Sequence, residues 1–230
     1  MTYQTFTRDP AARQRYWARS QLGWRTFAQA PPNDGHRAVA ELQSLGLLTG
    51  VVTQNVDGLH QAGGAGDVVE LHGSLDRVAC LDCGVRSPRA ELDLRLRAAN
   101  TEWEAVVTAV NPDGDVEVAD AAVEDFRVVD CVLGGGMLKP DVVFFGENVP
   151  QPVVEHCYDL VARSRTLLVL GSSLTVFSGL RFVRRAAQLG VRVVIVNQGV
   201  TRGDDQAETL VDAPLGPTLC RLVEDVRARK

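Results

Sequence analysis

Two short segments of this chain carry side chains that are suited to acid–base chemistry. The first is Thr53-Gln54-Asn55-Val56-Asp57-Gly58-Leu59-His60, and the second is Glu70-Leu71-His72-Gly73. Together they supply a carboxamide pair, a carboxylate and an imidazole, which can orient a polar ligand and move a proton near neutral pH. Spacing alone leaves the roles of the Asn and Asp side chains open, because both residues are also common in turns.

The apolar run that precedes the first segment indicates how these side chains are positioned. Leu47 to Thr53 predicts a short buried strand, so Gln54 and Asn55 would emerge at its carboxyl end. Open α/β sheets bind their ligands at the carboxyl ends of their strands. We therefore expect chemistry at this edge of the sheet.

Two later apolar runs predict further strands of the same sheet. Residues 166–170 and 191–196 are separated by a helical segment around 180–189, which is the strand, helix, strand order of a parallel sheet. The runs end in Gly171-Ser172-Ser173 and Asn197-Gln198-Gly199. With the end of the first strand, these polar ends are expected to line one crevice of the size of a dinucleotide.

The remaining pattern predicts helices near the start and an inserted module. Residues 10 to about 30 have helical spacing, and Asn33 or Asp34 is a plausible N-cap for the next helix. From about 74 to 136 the character changes to a Cys-x-x-Cys pair, a turn signal at Pro112-Asp113-Gly114-Asp115 and an acidic run over 116–125. The predicted fold is a Rossmann-like, doubly wound α/β sheet over 1–73 and 137–230, with a small zinc-ribbon-like module inserted at 74–136.

Composition narrows the class of partner. The net charge of -5 and pI of about 5.4 argue against binding to nucleic acid or to an anionic membrane surface. The opening residues show no signal-peptide pattern, and no stretch is apolar enough to span a membrane. A cytoplasmic protein is predicted, and the five cysteines, an odd number, do not favour a disulfide framework.

Several motifs in order resemble one family. Beyond the two opening segments they are Gly135 to Glu147, Gly171 to Val176, and Asn197-Gln198-Gly199. From about Arg13 onward the chain resembles the sirtuins, NAD-dependent protein deacylases with a Rossmann-like fold. Details such as Arg15-Tyr16-Trp17-Ala18-Arg19 look most like the class II branch that includes mitochondrial lipoamidase-type sirtuins.

The resemblance implies roles for the residues at the first strand end. His72 would act as general base on the nicotinamide ribose after the acyl oxygen has attacked C1′. Asn55 would orient the ribose and a catalytic water, and Asp57 would bind the nicotinamide carboxamide. Gln54 would hold ribose hydroxyls, with Val56 also in contact with the cofactor.

The same resemblance implies the rest of the cofactor site. Ser172 and Ser173, after Gly171, would bind phosphate or ribose, with an ordinary helix N-cap as the alternative role. Asn197 resembles the residue that contacts the adenosine ribose, followed by Gln198 and Gly199 in the same motif. Leu215 falls near the adenine-contact position, where a core leucine is the alternative.

A peptide substrate is implied as well. Phe145-Gly146-Glu147 and Ser178-Gly179 resemble the two segments between which sirtuins hold an extended peptide by strand addition. Val142 and Phe144 would contribute to an apolar channel for the acyl-lysine. The arginine and tyrosine pair that marks a preference for acidic acyl groups is not recognisable, so we expect a neutral acyl group.

The cysteine module departs from the family pattern. Cys80 and Cys83 form a complete first pair, but Cys131 is followed by Gly134 where a fourth thiolate is expected. Three thiolates with a water or Asp130 would hold zinc less tightly. Loss of the metal is an equal alternative, and a redox role of Cys80 and Cys83 is a weaker one.

The start of the chain departs too. Sirtuins open with a strand and a glycine-rich loop that cradles the NAD diphosphate, and neither precedes Arg13. Gly63-Gly64-Ala65-Gly66 follows no strand and is not a substitute. A truncated gene model or a degenerate paralogue is therefore expected. This keeps open an inactive remnant that binds acyl-peptide or nucleotide, a protein ADP-ribosyltransferase and a zinc-dependent scaffold beside the deacylase.

Overall fold

The computed structural model describes residues 1–104, 107–110, 116–118 and 123–229. The predicted turn at Pro112-Asp113-Gly114-Asp115 and part of the acidic run lie outside these ranges. The chain forms two compact units. Unit 1 comprises Met1–Ala30, Asn55–Gly58 and His72–Asn148, and unit 2 comprises Pro31–Gln54, Leu59–Leu71 and Val149–Lys230. The domain boundaries expected from sequence, 1–73 with 137–230 and 74–136, remain a prediction.

The helices and strands include each element that the apolar patterns predict, together with others that they do not. The helices are α1 (Tyr3–Arg8), α2 (Pro10–Ala28), α3 (Asp34–Ser44), α4 (Leu59–Ala62), α5 (Arg89–Ala99), α6 (Gln151–Ala162), α7 (Phe177–Gln188) and α8 (Leu215–Arg227), with a 3₁₀ turn at Asp204–Gln206. The strands are β1 (Val51–Thr53), β2 (Val68–Glu70), β3 (Gly73–Cys80), β4 (Arg86–Pro88), β5 (Val107–Val110), β6 (Val116–Val118), β7 (Leu138–Val142), β8 (Thr166–Leu170), β9 (Arg192–Val196) and β10 (Thr209–Val211). In the described part of the chain, no helix has both the length and the apolarity that crossing a membrane requires.

Unit 2 is built on parallel strands, as the sequence predicts, but the described strands form two sheets and not the single sheet expected. β1 pairs in parallel with β2, and β8, β9 and β10 form a parallel three-stranded sheet. The register of the larger sheet sets Leu170 opposite Val196 and Val211 opposite Val196. The ends of these three strands therefore lie at one edge, where α/β folds bind ligands.

The first strand is shorter than the prediction of Leu47 to Thr53. The N–H groups of Leu45 and Leu47 donate to the carbonyls of Glu41 and Leu42, so the first part of the apolar run closes the end of α3. Pairing with β2 begins only at Val51. Apolar periodicity does not distinguish a helix end from a strand beginning, which explains the error.

Capping fixes where α3 begins. The Asn33 side chain accepts the N–H of His36, and the Nδ1 of His36 accepts the N–H of Asn33. This reciprocal arrangement satisfies two N–H groups at the helix start, and it confirms Asn33 as the N-cap. α3 packs on α8 and β1 in the core of unit 2, which comprises Ala38, Val39, Leu42, Val51, Leu219 and Val223.

Unit 1 centres on the antiparallel strand β3. It pairs with β4 on one side and β7 on the other. Its inward side chains pack with α2 and α5 in a core that includes Phe6, Trp17, Val78, Leu92, Leu96, Phe126 and Leu138. The guanidinium of Arg89 is buried with them, 5.5 Å from the Trp17 ring and 5.0 Å from the Trp24 ring. Burial lowers the pKa of Arg89.

Candidate active site

His72 immediately precedes β3, and its backbone is fixed by β7. The N–H of Val143 donates to the His72 carbonyl at 2.8 Å. Gly73 follows with φ of +80°, and a Cβ there would lie 1.9 Å from the carbonyl oxygen of Asp141. Only glycine permits this approach, because any side chain would collide with the β7 backbone. The half-buried imidazole is thus carried by a rigid strand junction.

The segment Asn55–Gly58 lies alongside the same junction. The N–H of Leu75, in β3, donates to the carbonyl of Val56 at 3.0 Å. This bond holds the segment next to the first residues of β3. Unit 1 therefore brings Asn55 and Asp57 to the strand that begins just after His72. These are the three residues to which the family resemblance assigns catalysis.

The predicted peptide segment follows β7 and is held by a buried ion pair. The ammonium of Lys139 lies 2.9 Å from Oε2 of Glu147, and that oxygen also accepts the N–H of Phe144 at 2.7 Å. The ammonium donates to the carbonyl of Val142 and lies 4.7 Å from the centre of the Phe144 ring. Phe145 at the tip is 72% exposed. The loop of residues 143–147 is therefore held at its base by these bonds, while Phe145 at its tip faces solvent.

Sequence reasoning missed two groups that contact this loop. Tyr3 donates its N–H to the Phe145 carbonyl at 2.9 Å, and the Gln4 side chain donates to the Gly146 carbonyl at 3.4 Å. Nothing in the pattern of residues 2–4 indicates these contacts. Lys139 was also missed, although a lysine inside an apolar strand followed by a glutamate could have revealed the pair.

In unit 2 the ends of β1 and β8 meet. The Gln54 side chain donates to the Ser172 hydroxyl at 3.0 Å. Gly179, in the first turn of α7, faces Gln54, and a Cβ there would lie 2.8 Å from its Oε1. The structure thus brings Gln54, Ser172 and the Ser178-Gly179 segment together.

The ends of β8, β9 and β10 are also joined. Gly171 donates its N–H to the Val196 carbonyl at 2.9 Å, and Asn197 donates its N–H to the Val211 carbonyl at 3.1 Å. The Asn197 side chain donates to the carbonyls of Gln198 and Gly199, each at 3.0 Å. Gly171 also faces Leu215, whose Cδ2 would lie 3.1 Å from a Cβ at Gly171. Leu215, half-buried, packs at the edge of the unit 2 core, which fits the alternative of a core residue.

The two serines after β8 do not cap a helix. α7 begins at Phe177, and its N-cap is Val176, which makes no side-chain capping bond. The Ser172 hydroxyl instead accepts the N–H of Leu174, and the Ser173 hydroxyl lies 3.0 Å from that of Thr175. The alternative of an ordinary N-cap is therefore wrong, because three residues separate the serines from the helix.

Three cysteines form a cluster in unit 1. The sulfur atoms of Cys80, Cys83 and Cys131 all lie within 4.8 Å of one another, and those of Cys83 and Cys131 are 3.8 Å apart. Zinc–sulfur bonds of about 2.3 Å in a tetrahedron place sulfurs roughly 3.8 Å apart, so the donor set fits zinc. Asp130 is not part of this cluster among the described residues, so its suggested role as a fourth ligand is not supported.

Backbone N–H groups surround two of these thiols. The amides of Gly134 and Leu133 bond to the Cys131 sulfur and lower the pKa of its thiol. The amide of Val85 bonds to the Cys83 sulfur, but the neighbouring Cys80 and Cys131 thiols and burial outweigh it, and the pKa of Cys83 is raised. The two N–H groups at the Cys131 sulfur favour its negatively charged thiolate form, which is the form that binds metal.

Comparison with known proteins gives one consistent answer. The profile described as SIR2, Sir2 family, matches residues 1–178. The chain is 62% identical over 229 residues to a Streptomyces coelicolor protein named NAD-dependent protein deacetylase 1, covering 100% of this chain and 77% of that protein. It is 52% identical to a protein of the same name from Mycobacterium avium, covering 98% of this chain and 81% of that protein.

Solved structures agree in fold. The structure of Sir2Tm bound to a propionylated peptide matches with a TM-score of 0.78 and 28% identity, covering 98% of this chain and 82% of that chain. A complex described as Sir2, p53 peptide and NAD+ matches with a TM-score of 0.78 and 27% identity, covering 99% of this chain and 82% of that chain. The sequence motifs, the Rossmann-like α/β fold and these matches lead to one conclusion: the chain belongs to the Sir2 family, the sirtuins.

Proposed function

We propose that this chain is an NAD-dependent protein-lysine deacylase of the deacetylase type. It transfers the acyl group of an acylated lysine to the ADP-ribose part of NAD and releases nicotinamide. The observation that carries the proposal is the backbone hydrogen bond from the N–H of Leu75 to the carbonyl of Val56. This bond holds Asn55 and Asp57 beside β3, the strand that begins just after His72. The names of the close relatives support the same reaction.

The residues of unit 1 carry catalysis. His72 takes a proton from a ribose hydroxyl, a step for which an imidazole is suited near neutral pH. Asn55 orients the ribose and a water molecule, and Asp57 accepts hydrogen bonds from the nicotinamide amide. The hydrogen-bonded backbone around His72 and Gly73 fixes the point from which the imidazole extends, which limits the reorganisation needed in the reaction.

The residues of unit 2 hold NAD. Gln54 and Ser172, already hydrogen-bonded to each other, present an amide and a hydroxyl to the ribose and phosphate groups. The remaining members of this set are Val56 from unit 1 and Gly171, Ser173, Asn197, Gln198, Gly199 and Leu215. When bound, NAD supplies the glycosidic bond whose cleavage drives the transfer.

The peptide partner is an acylated lysine in an extended segment. Phe145-Gly146-Glu147 and Ser178-Gly179 bind its backbone by strand addition, which makes affinity tolerant of sequence. Val142 and Phe144 line the channel for the side chain, and a neutral acyl group fits their apolar character. We place the protein in the cytoplasm with no nucleic-acid or membrane partner, in line with its net charge of -5. Assignment to the class II branch remains a prediction.

The test is deacetylation of an acetyl-lysine peptide, followed by mass spectrometry with and without NAD. We expect loss of the acetyl group only with NAD, together with acetylated ADP-ribose. Deacetylation without NAD would contradict the proposal. Attachment of ADP-ribose to protein with no change in the peptide would favour the ADP-ribosyltransferase alternative, and peptide binding without any product would favour the inactive remnant.

A further inference from the structure

The cysteine cluster of unit 1 combines one complete Cys-x-x-Cys pair with one incomplete pair. Cys80 and Cys83 form the complete pair, while Cys131 is followed at the same spacing by Gly134. Structural zinc sites built from two such pairs take one thiolate from each of the four positions. Here the residue at the fourth position is a glycine, so the protein supplies no side-chain ligand for one corner of the expected tetrahedron.

The three remaining sulfurs are nevertheless arranged for a metal ion and not for a disulfide. The Cys83 and Cys131 sulfurs are 3.8 Å apart, close to the roughly 3.8 Å expected between two thiolates on one tetrahedral zinc ion. A disulfide would need about 2.05 Å.

Gly134 lies beside the cluster and supplies no ligand atom, which leaves a gap in the ligand set. A Cβ at Gly134 would lie 3.1 Å from both the Cβ and the sulfur of Cys83, so a side chain there would press on Cys83 unless the loop shifted by a few tenths of an ångström. No fourth His, Cys, Asp or Glu joins the cluster within the described ranges. Asp82, the nearby acidic residue of the first pair, is engaged elsewhere, because its carboxylate accepts the N–H of Met137 at 2.9 Å.

The gap is on the solvent side of the module. Cys83 and Gly134 are exposed, and Val132 and Leu133 in the same loop are each 74% exposed. Cys80 and Cys131, by contrast, are buried. A small molecule from solution can therefore reach the fourth corner without any movement of the core.

We propose that the cluster binds zinc through Cys80, Cys83 and Cys131 and keeps its fourth coordination position open to a small thiol from solution. The thiol binds as a thiolate, so its proton passes to the solvent and no electron is transferred. Water takes the position when no thiol is present. Metal loading of this protein then responds to the concentration of small thiols, which a closed four-cysteine site does not do.

The first test uses cobalt(II) in place of zinc in the whole 230-residue chain, because the absorption of cobalt(II) reports the number of thiolates bound to it. Titration with 2-mercaptoethanol is expected to change the spectrum of the wild-type complex in a saturable way. The complex of the Gly134→Cys variant, whose fourth thiolate is built in, is expected not to respond. If the spectrum of the wild-type complex does not change on addition of 2-mercaptoethanol, the proposal is wrong, since the fourth position is then not open to a thiol.

The second test measures the rate at which zinc passes to a chromogenic chelator. Gly134→Cys is expected to slow the transfer by about 100-fold, roughly what one of four thiolate ligands contributes to a structural zinc site. Two variants are matched controls. Gly134→Ala adds the Cβ without the sulfur, and Leu133→Cys adds the sulfur one residue away at an exposed position. Leu133→Cys should release zinc at the wild-type rate, and Gly134→Ala should release it no more slowly than the wild type, because its Cβ presses on Cys83 without adding a ligand.

Two results of this second test would reject the open site. If Gly134→Cys releases zinc as fast as Gly134→Ala, the corner beside Gly134 is not a coordination position. If the wild type binds no zinc or cobalt while Gly134→Cys binds one equivalent, three thiolates do not suffice. Cys220→Ser serves as a control for removal of a cysteine outside the cluster and should bind metal as the wild type does. None of these readouts depends on deacylase activity.

Discussion

The ammonium group of Lys139 lies 2.9 Å from Oε2 of Glu147, and the two side chains are only 7% and 21% exposed. Glu147 uses the same oxygen to accept the N–H of Phe144. The pair therefore links β7 to the loop that we propose binds the substrate peptide.

Replacing Lys139 by Met is expected to lower the free energy of unfolding by about 3 kcal/mol, because it leaves a largely buried carboxylate without its partner. Urea unfolding measures this loss. Arg221→Gln is the matched control, since Arg221 pairs with Asp225 at 3.2 Å where the side chains are 75% and 49% exposed. That change should cost no more than about 0.5 kcal/mol. Equal effects of the two substitutions would show that the buried ion pair contributes no more to the free energy of unfolding than the exposed pair does.

Gly73→Ala is expected to unfold unit 1 or to destabilise it by more than about 3 kcal/mol, because the new methyl group would collide with the β7 backbone. Gly84 provides the control. Its φ of +71° resembles the +80° of Gly73, but nothing lies within 4 Å of a Cβ there. Gly84→Ala should therefore show only the strain of a positive φ, about 1 kcal/mol. If thermal unfolding shows similar losses of stability for Gly73→Ala and Gly84→Ala, then the positive φ, and not the close approach of β7, explains the requirement for glycine at position 73.

Gln54→Ala is expected to raise KM for NAD about tenfold while kcat changes little, because it removes a hydrogen-bonding group that acts in binding. Steady-state rates at saturating peptide separate the two parameters. Gln43→Ala is a suitable control, since that side chain bonds to the backbone of Gly66 and is not in the proposed site. An unchanged KM in Gln54→Ala would remove Gln54 from the NAD-binding set.

Cys157 in α6 is expected to make stability depend on alkaline pH. It is completely buried, and burial raises the pKa of its thiol from 9.0 to about 11. Between these values the folded state binds more protons than the unfolded state, so stability falls as pH rises. The contribution is fully present below pH 9 and decreases by about 2 to 3 kcal/mol on going to pH 11.

The measurement is urea unfolding of wild type and Cys157→Ala at pH 8 and at pH 11. The stability advantage of the wild type over the variant should shrink by the amount given above. Cys220→Ala corrects for the loss of a thiol that is not fully buried. A pH-independent difference between wild type and Cys157→Ala would show that the thiol does not titrate as burial requires.

Sequence patterns predicted the features that depend on local chemistry. The N-cap at Asn33 needs only a side-chain acceptor and free helix N–H groups, and β8 and β9 need only β-branched apolar runs. The adjacency of Gly171 and Val196 follows from the parallel pairing of β8 with β9, whereas the contact of Gln54 with Ser172 joins the ends of strands from two separate sheets. The N-cap and the β8–β9 edge can therefore be predicted from the amino-acid sequence alone, but the contact between the two sheets cannot.

Features that depend on distant partners could not be predicted. The pairing of Tyr3 with Phe145 joins residues 142 positions apart and leaves no pattern in either segment. The first half of the Leu47 to Thr53 run closes the end of α3 and is not part of β1. Apolar residues suit either structure, and contacts with distant parts of the chain determine which one forms. The requirement for glycine at position 73 became clear only from the close approach of Asp141.

The central claim is that His72 acts on NAD together with an acylated lysine. Its most direct test is the release of nicotinamide from NAD, measured with and without an acetyl-lysine peptide, for the wild type and for His72→Ala. We expect release under turnover to require the peptide and to fall by about 10² to 10⁴-fold in the variant, the usual contribution of a general base. Release by the wild type that is independent of peptide, or that is unchanged in His72→Ala, would contradict the account.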